Sequence, residues 1–360
     1  MNRVYIYYDL QMTDTLISRL TAINGTVLVT GHTGFKGMWL TLLLDTFGIH
    51  WAGISLKPKS DSLYNLVNKK NTEEYFVDIR NFNALENTVK LINPKYVIHL
   101  AAQPLVLNSY LDPRDTFETN VLGTVNLLDI LVRNSISEKI IIVTTDKVYK
   151  EKRYQKSFKE HDAFGGKDPY SWSKVGTEAV VGSWQQICKT QGGPKIVSVR
   201  AGNVIGGGDY SENRLLPDLI KGFITSSRVT IRNPNSTRPW QHVLDPLSGY
   251  LLALASETDI SAFNFSPSSK SLSVKKVTEI ASKLWGNQNK IYFENSQNSL
   301  ETASLSLNSS KAKKVLKWSS HWTQEQAVIA TVNWWKSVTT KRISPKDACA
   351  KDINDLLGEF

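Results

Sequence analysis

Cysteine is almost missing from this chain. Only Cys188 and Cys349 occur in 360 residues, too few for a disulfide framework or a cysteine-rich metal site. Long apolar runs are missing too: no window approaches the roughly 18 to 20 apolar residues of a membrane span. The N-terminus, MNRVYIYYDLQMTDTL, has neither the apolar core nor the small-residue cleavage site of a secretory signal. The expectation is a cytoplasmic protein with no membrane partner and no metal. Internal repeats and low-complexity linkers are also lacking, so the length suits one large domain or two moderate ones with a sizeable core. Acidic residues are outnumbered, 33 Asp and Glu against 43 Lys and Arg, for a net charge of +10. The basic residues are dispersed, which reads as a solvated basic surface rather than a nucleic-acid interface. A local excess between Lys147 and Lys167 would favour an anionic ligand nearby.

What is present is an alternation of short apolar runs and helical patterns. TVLVTGHTGFKGMWLTLLLDTFG reads as strand, glycine turn and helix. WAGISL, YVIHLAAQ, IIIVTT and KIVSVRAGNVIG read as further strands, with ALENTVKLI and NVLGTVNLLDILVRN as helices between them. Strands alternating with helices predict an α/β fold, a Rossmann-like doubly wound parallel sheet. From about Gly206 the texture becomes loop-rich, interrupted by helical LSGYLLALAS and VKKVTEIASKLW. This divides the chain into an arm (1–23), a nucleotide-binding domain (24–205), a smaller, mainly substrate-binding lobe with some return to the first domain (206–345), and a C-terminal tail (346–360).

Three groups of residues carry chemistry. Gly31, Gly34 and Gly37 in GHTGFKG open a helix directly after a strand. Glycines there allow positive φ and close backbone approach to phosphate, and the helix amino end attracts the anion. A dinucleotide turn also asks for an acid at the end of the second strand. GISLKPK offers Lys57 and Lys59 instead, which leaves NAD and NADP both open. Asp78, after a possible third strand, is a candidate for the adenine amino group or an ordinary exposed acid. Tyr170 and Lys174 in YSWSK lie four apart, on one face of a helix, where an ammonium favours a phenolate and makes Tyr170 a general base. Finally, IIVTTDKVYKE ends an apolar strand in Thr145, Asp146 and Lys147, at the end where open α/β sheets keep their ligands.

The ordered set TGHTGFKG, DIR, HLAAQPLV, TNVLGTVNLLD, VTTDKVY, DPYSWSK, RAGNVIGGGD and RPWQHVLDPLSGYLLALA resembles the extended short-chain dehydrogenase/reductase superfamily and, within it, the CDP-glucose 4,6-dehydratases, over roughly residues 24 to 340. The resemblance implies a tightly held NAD, regenerated each turnover, and a nucleotide-sugar substrate, CDP-glucose. It also implies a homodimer or higher homo-oligomer and a role in deoxysugar and surface-polysaccharide synthesis. Tyr170 would take the 4-hydroxyl proton, with Lys174 lowering its pKa and binding the nicotinamide ribose and Thr145 holding the 4-hydroxyl region. Asp146 would be the acid for loss of the 6-hydroxyl. Lys147 stands where the related dTDP-glucose enzymes have a glutamate base, and is either an unusually neutral base or a cation that stabilises the enolate. The cofactor cleft would be lined by Gly31, Gly34, Phe35, Lys36, Gly37, Asp78, Ile79, Leu100, Ala101, Ala102, Gln103 and Asn120, together with Tyr170 and Lys174. Asn203, Arg214 and Arg238 would bind the substrate diphosphate, Arg238 through paired guanidinium hydrogen bonds. His242 is a substrate contact or a core histidine. Alternatives are another nucleotide-sugar 4,6-dehydratase, a nucleotide-sugar epimerase or reductase on the same scaffold, and a noncatalytic nucleotide-sensing or RNA-binding protein.

Overall fold

The computed structural model describes residues 14–67, 73–151, 157–267, 271–286, 291–294 and 306–358. Residues 1–13 of the expected arm and 152–156 of the basic stretch lie outside these. Seven strands form the central sheet: β1 (Val27–Thr30), β2 (Trp51–Ser55), β3 (Glu74–Phe76), β4 (Tyr96–His99), β5 (Lys139–Val143), β6 (Lys195–Ala201) and β7 (Ala262–Phe265). They lie in the order β7-β6-β5-β4-β1-β2-β3, and all neighbours are parallel. The connecting helices include α1 (Phe35–Thr46), α2 (Phe82–Ile92), α3 (Gly123–Arg133) and α4 (Pro169–Gln191). The chain order reverses between β1 and β4, which places a ligand crevice beyond their carboxyl ends.

The strand residues sort by parity, as a pleated sheet covered on both faces requires. Val27, Val29, Ile98, Ile141, Val143, Val197 and Val199 belong to one core cluster. Leu28, Val97, Ile140, Ile142 and Ile196 belong to the other. The first cluster also holds α6 (Leu244–Ala255), which is buried along almost its whole length. Between β6 and that helix the chain forms α5 (Leu215–Thr225), and β7 then returns to pair with β6. Further on come α7 (Val274–Trp285) and α8 (Gln324–Thr339).

Both ends of the described chain are helical and packed on the core. Residues 14–20 are helical, with Leu16 and Leu20 fully buried. The expected tail is instead a helix, α9 (Pro345–Leu357), capped by Ser344, with Ala348, Cys349, Asp352, Ile353, Leu356 and Leu357 buried. It holds because those positions recur at helical spacing and face the same core as Leu16 and Leu20. No helix of the described residues is long and apolar enough to cross a membrane.

Candidate active site

The glycine turn is built for close approach. Gly31 has φ +76°, and a Cβ there would stand 2.8 Å from the backbone nitrogen of Ala101. A Cβ on Gly37 would stand 2.1 Å from the Gly31 carbonyl oxygen, so α1 packs directly on the turn. Gly34 is the N-cap of α1 and offers no side chain to its first N–H groups, leaving them for an anion. Leu100, Ala101 and Ala102 follow β4, and the Leu100 and Ala101 N–H groups both donate to Thr30 Oγ1, at 3.2 Å each. Gln103 donates its N–H to Asn120 Oδ1 at 2.8 Å, and Asn120 Nδ2 returns a bond to the Gln103 carbonyl at 3.0 Å.

Some candidate cofactor residues are occupied otherwise. Asp78 accepts from the Arg80 backbone N–H at 2.9 Å and from its guanidinium, Nε to both carboxylate oxygens at 3.0 Å and NH2 to Oδ2 at 2.6 Å, and this guanidinium holds its carboxyl below the usual range. The Ile79 side chain is buried in the core, where a Cβ on Gly123 would meet its Cδ1 at 2.4 Å. Phe35 reaches across to Gly206. Lys57 and Lys59 stand exposed beyond β2. No acid follows β2 in the 55–60 segment, as the sequence indicated.

The end of β5 and the start of α4 meet at the centre. α4 begins with a capping box between Asp168 and Ser171 and with Pro169 in its first turn, a start that local sequence dictates. Ser109 accepts from the Tyr170 N–H at 3.0 Å and fixes that turn against the helix at 106–111. The Thr145 hydroxyl favours the Tyr170 phenolate, and Thr145 Oγ1 donates to Asp146 Oδ1 at 3.0 Å. Tyr170, Thr145 and Asp146 thus act on one another at this strand end. Lys147 Nζ lies 6.0 Å from the centre of the Tyr170 ring.

Burial dominates the electrostatics. It raises Asp146 above the ordinary carboxyl value, against Lys147, the Thr145 hydrogen bond, Arg238 and Lys36. It also raises Tyr170 to about 12, opposed by the Thr145 hydroxyl and the charge of Arg214. Lys174, lowered to about 8 by burial, donates to the Val143 carbonyl at 3.3 Å and faces Glu178. Lys36 is lowered to about 7 by burial and then by Arg214 and Lys174, and its Nζ is 3.5 Å from the Tyr250 hydroxyl. An amine whose pKa burial lowers and a carboxyl whose pKa burial raises, in one cleft, are groups suited to exchanging protons.

Of the substrate candidates, Arg214 and Arg238 both act on this cleft through their charge. Arg214 is held by the buried Asp209, at 3.3 Å. Asn203 is half-buried between β6 and the strand at 204–205. His242 is elsewhere: it is fully buried, its ring 4.3 Å from that of Trp322 and 5.9 Å from that of Trp39, with Nε2 3.4 Å from Asp352 of α9. Of its two readings, the structure supports the core histidine. The sequence reading overlooked Tyr250 and the buried set around Glu178. Glu178 follows Lys174 by four residues, so the helical repeat that joins Tyr170 to Lys174 also pointed to it. Among the described residues, no three His, Cys, Asp or Glu side chains are grouped to hold a metal.

A family model for GDP-mannose 4,6 dehydratase matches residues 28–331. The chain belongs to this family. Among curated proteins, a CDP-glucose 4,6-dehydratase of Salmonella typhimurium is 38% identical over 324 residues, 86% of this chain and 90% of that protein. Members of the 4,6-dehydratase family and its neighbours share the fold. A UDP-glucose 4-epimerase of Thermotoga maritima, solved with UDP-glucose, superposes with a TM-score of 0.78 at 24% identity, covering 87% of this chain and 99% of that one. A dTDP-glucose 4,6-dehydratase of Streptomyces venezuelae, with NAD and TYD bound, gives 0.77 at 21% identity, covering 87% and 97%.

Proposed function

We propose that this protein is a cytoplasmic, homodimeric CDP-glucose 4,6-dehydratase that converts CDP-D-glucose to CDP-4-dehydro-6-deoxy-D-glucose and water in deoxysugar synthesis. The observation that carries the reading is the grouping of Tyr170 with Thr145, hydrogen-bonded to Asp146, and with Lys147 over the Tyr170 ring, at the strand end facing the glycine turn. An epimerase or reductase has no use for a buried acid at Asp146. A noncatalytic binding protein has no use for the grouping at all. The Salmonella relative supports CDP-glucose as the substrate.

The turn fits NAD, since the close approach of Gly31 to Ala101 and the uncapped start of α1 leave backbone donors for a diphosphate. When bound, NAD supplies the acceptor, and later the donor, of the two electrons taken from and returned to the sugar. Tyr170 removes the 4-hydroxyl proton as C4 is oxidised, and Thr145 orients that hydroxyl and links Tyr170 to Asp146. Lys174 positions the nicotinamide ribose. The resulting 4-ketone acidifies the C5 proton. Asp146, whose pKa burial raises, gives its proton to the departing 6-hydroxyl while water takes the C5 proton, so water leaves and the C5–C6 double bond forms; C5 regains a proton from solvent when the electrons return to C6. Arg214 and Arg238 bind the diphosphate, which suits their guanidinium geometry.

Purified protein incubated with CDP-glucose, and no added reductant, is expected to yield the 4-keto-6-deoxy sugar with solvent deuterium at C5, read by mass spectrometry. C4 inversion with the 6-hydroxyl retained would remove the assignment. Lys147, half-buried beside Asp146, is better placed to stabilise the enolate than to take the proton. Lys147→Met should slow C5 exchange about 100-fold, and Lys147→Glu should not restore it. Restored exchange in Lys147→Glu would make position 147 the site of the base.

A further inference from the structure

A buried histidine that the mechanism does not use lies between the two halves of the site. His99, the last residue of β4, is 2% exposed. Its Nδ1 is 2.7 Å from Thr30 Oγ1 and its Nε2 is 3.2 Å from Thr124 Oγ1. The neighbours fix its protonation. Thr124 Oγ1 is 2.7 Å from the Asn120 carbonyl, which can only accept, so the Thr124 proton is committed there. Towards His99, Thr124 is therefore an acceptor, and Nε2 carries hydrogen. On the other side, Thr30 Oγ1 accepts from the Ala101 N–H and shares the Leu100 N–H with the Thr30 carbonyl, and in a neutral ring that carries hydrogen on Nε2 the Nδ1 facing it is an acceptor. The Thr30 hydroxyl proton then goes to a bare Nδ1. A single neutral tautomer satisfies every partner, in keeping with the burial and the Lys174 charge that hold the imidazole down at about 3.

The chain of bonds continues. Asn120 sits in a π-helical turn, Glu118–Leu122, where the Gly123 N–H bonds to Glu118 five residues back. The interrupted α-ladder leaves the Asn120 carbonyl to accept hydroxyls from both Thr124 and Thr177 of α4, the latter at 2.8 Å. Asn120 Nδ2 donates to Ser173 Oγ at 2.8 Å, and Ser173 Oγ donates to the Tyr170 carbonyl at 2.7 Å. One buried path thus runs from the residue before Gly31, through His99, Thr124 and Asn120, to the backbone of Tyr170.

We propose that His99 is a positioning residue that fixes the spacing between the glycine turn and the Tyr170–Lys174 turn of α4. This rests on the reading above, in which the first holds NAD and the second acts on the sugar. It separates two requirements. Each half can bind its own ligand without His99, but their relative placement, on which the reaction depends, passes through it. A misplacement of about 1 Å is enough to cost on the order of 100-fold in rate.

Three variants of the NAD-loaded enzyme test this. His99→Asn keeps an acceptor for Thr30 and loses reach to Thr124, Thr124→Val cuts the same path on the other side, and Thr124→Ser preserves it. His99→Asn and Thr124→Val should each lower kcat by about tenfold or more. The KM for CDP-glucose and the retained NAD should stay within about twofold, and Thr124→Ser should stay near wild type. The double variant should be no slower than the worse single one, since both break one path. An unchanged kcat in His99→Asn, or multiplied effects in the double variant, would overturn the proposal. Selective nitrogen-15 labelling of histidine in the wild-type protein should show His99 with bare Nδ1 and protonated Nε2. A proton on Nδ1 overturns the proposal even if the variants fail to fold. A wild type that leaves CDP-glucose unchanged would refute the function reading instead, and the tautomer measurement does not depend on it.

Discussion

Tyr170→Phe should retain its fold and its bound nucleotide while losing about two to four orders of magnitude in turnover, the range by which positioned proton transfer accelerates reactions. The ring stays and only the hydroxyl goes. Thr145 keeps a partner on either side, donating to Asp146 and accepting from the Lys147 N–H at 3.3 Å, so no buried polar group is stranded and the melting temperature should not move. The loss should fall on the first step, seen as the absence of C5 deuterium as well as of product. Without the phenol no ketone forms, and without the ketone the C5 hydrogen is not acidic. The pH profile bears on the same group. In the ligand-free protein burial holds the phenol at about 12, above its ordinary 10.0, so Tyr170 acts only if bound NAD and sugar bring it down. Unchanged turnover in Tyr170→Phe would instead favour a binding protein.

Arg200→Met should destabilise the protein by about 3–5 kcal/mol, the cost of leaving a buried charge without its partner. Arg200 and Glu178 are both nearly inaccessible and meet in paired bonds, Nε to Oε1 and NH2 to Oε2, each 2.7 Å. Thr144 and Ser198 donate to the same carboxylate at 2.5 and 2.7 Å, and Arg200 also reaches the Tyr149 hydroxyl and the Glu160 carbonyl. Burial alone would raise Glu178, but these donors, Arg200 first, hold it below its ordinary 4.5. A carboxyl depressed on folding adds stability above its unfolded pKa, and that contribution disappears as the pH falls through the folded value. Urea midpoints of the wild type should therefore rise with pH through the carboxylate range. In Arg200→Met the unpaired carboxyl is pushed up instead, so this group's contribution reverses and stability falls as pH rises towards 7. Parallel pH profiles for the two proteins would show that the pair is not what holds Glu178 ionised. Because Thr144 precedes Thr145, the same variant should also lose activity.

How much of this was legible in the sequence depends on how local its cause is. The strand, glycine turn and helix from Val27 to Thr46 follow from apolar runs and glycines close in sequence, and so does α4, whose Asp168, Pro169 and Ser171 cap it within four residues. The π-turn at Asn120 had no such signal, because hydroxyls from Thr124 and from Thr177 of another helix occupy the carbonyl it frees. His242 shows the same limit. A histidine beside arginine and tryptophan in RPWQHV reads equally as a phosphate ligand or as core, and only the arrival of Trp322 and Asp352 from about 80 and 110 residues further along the chain decides it. The α9 helix is faint in the sequence because Asp352 lies on its buried face and breaks the apolar stripe.

The parity of the strand residues also divides the chain in order of synthesis. The cluster on one side of the sheet contains buried residues from Leu28 to Ile196 only, so everything it needs exists once residue 196 has been made. The cluster on the other side runs from Leu16 to Leu357. Its members in α1, made early, wait for partners in α9 that are made much later. The two faces of one sheet are completed at different times, with the face that carries α6 and the C-terminal helices finished second.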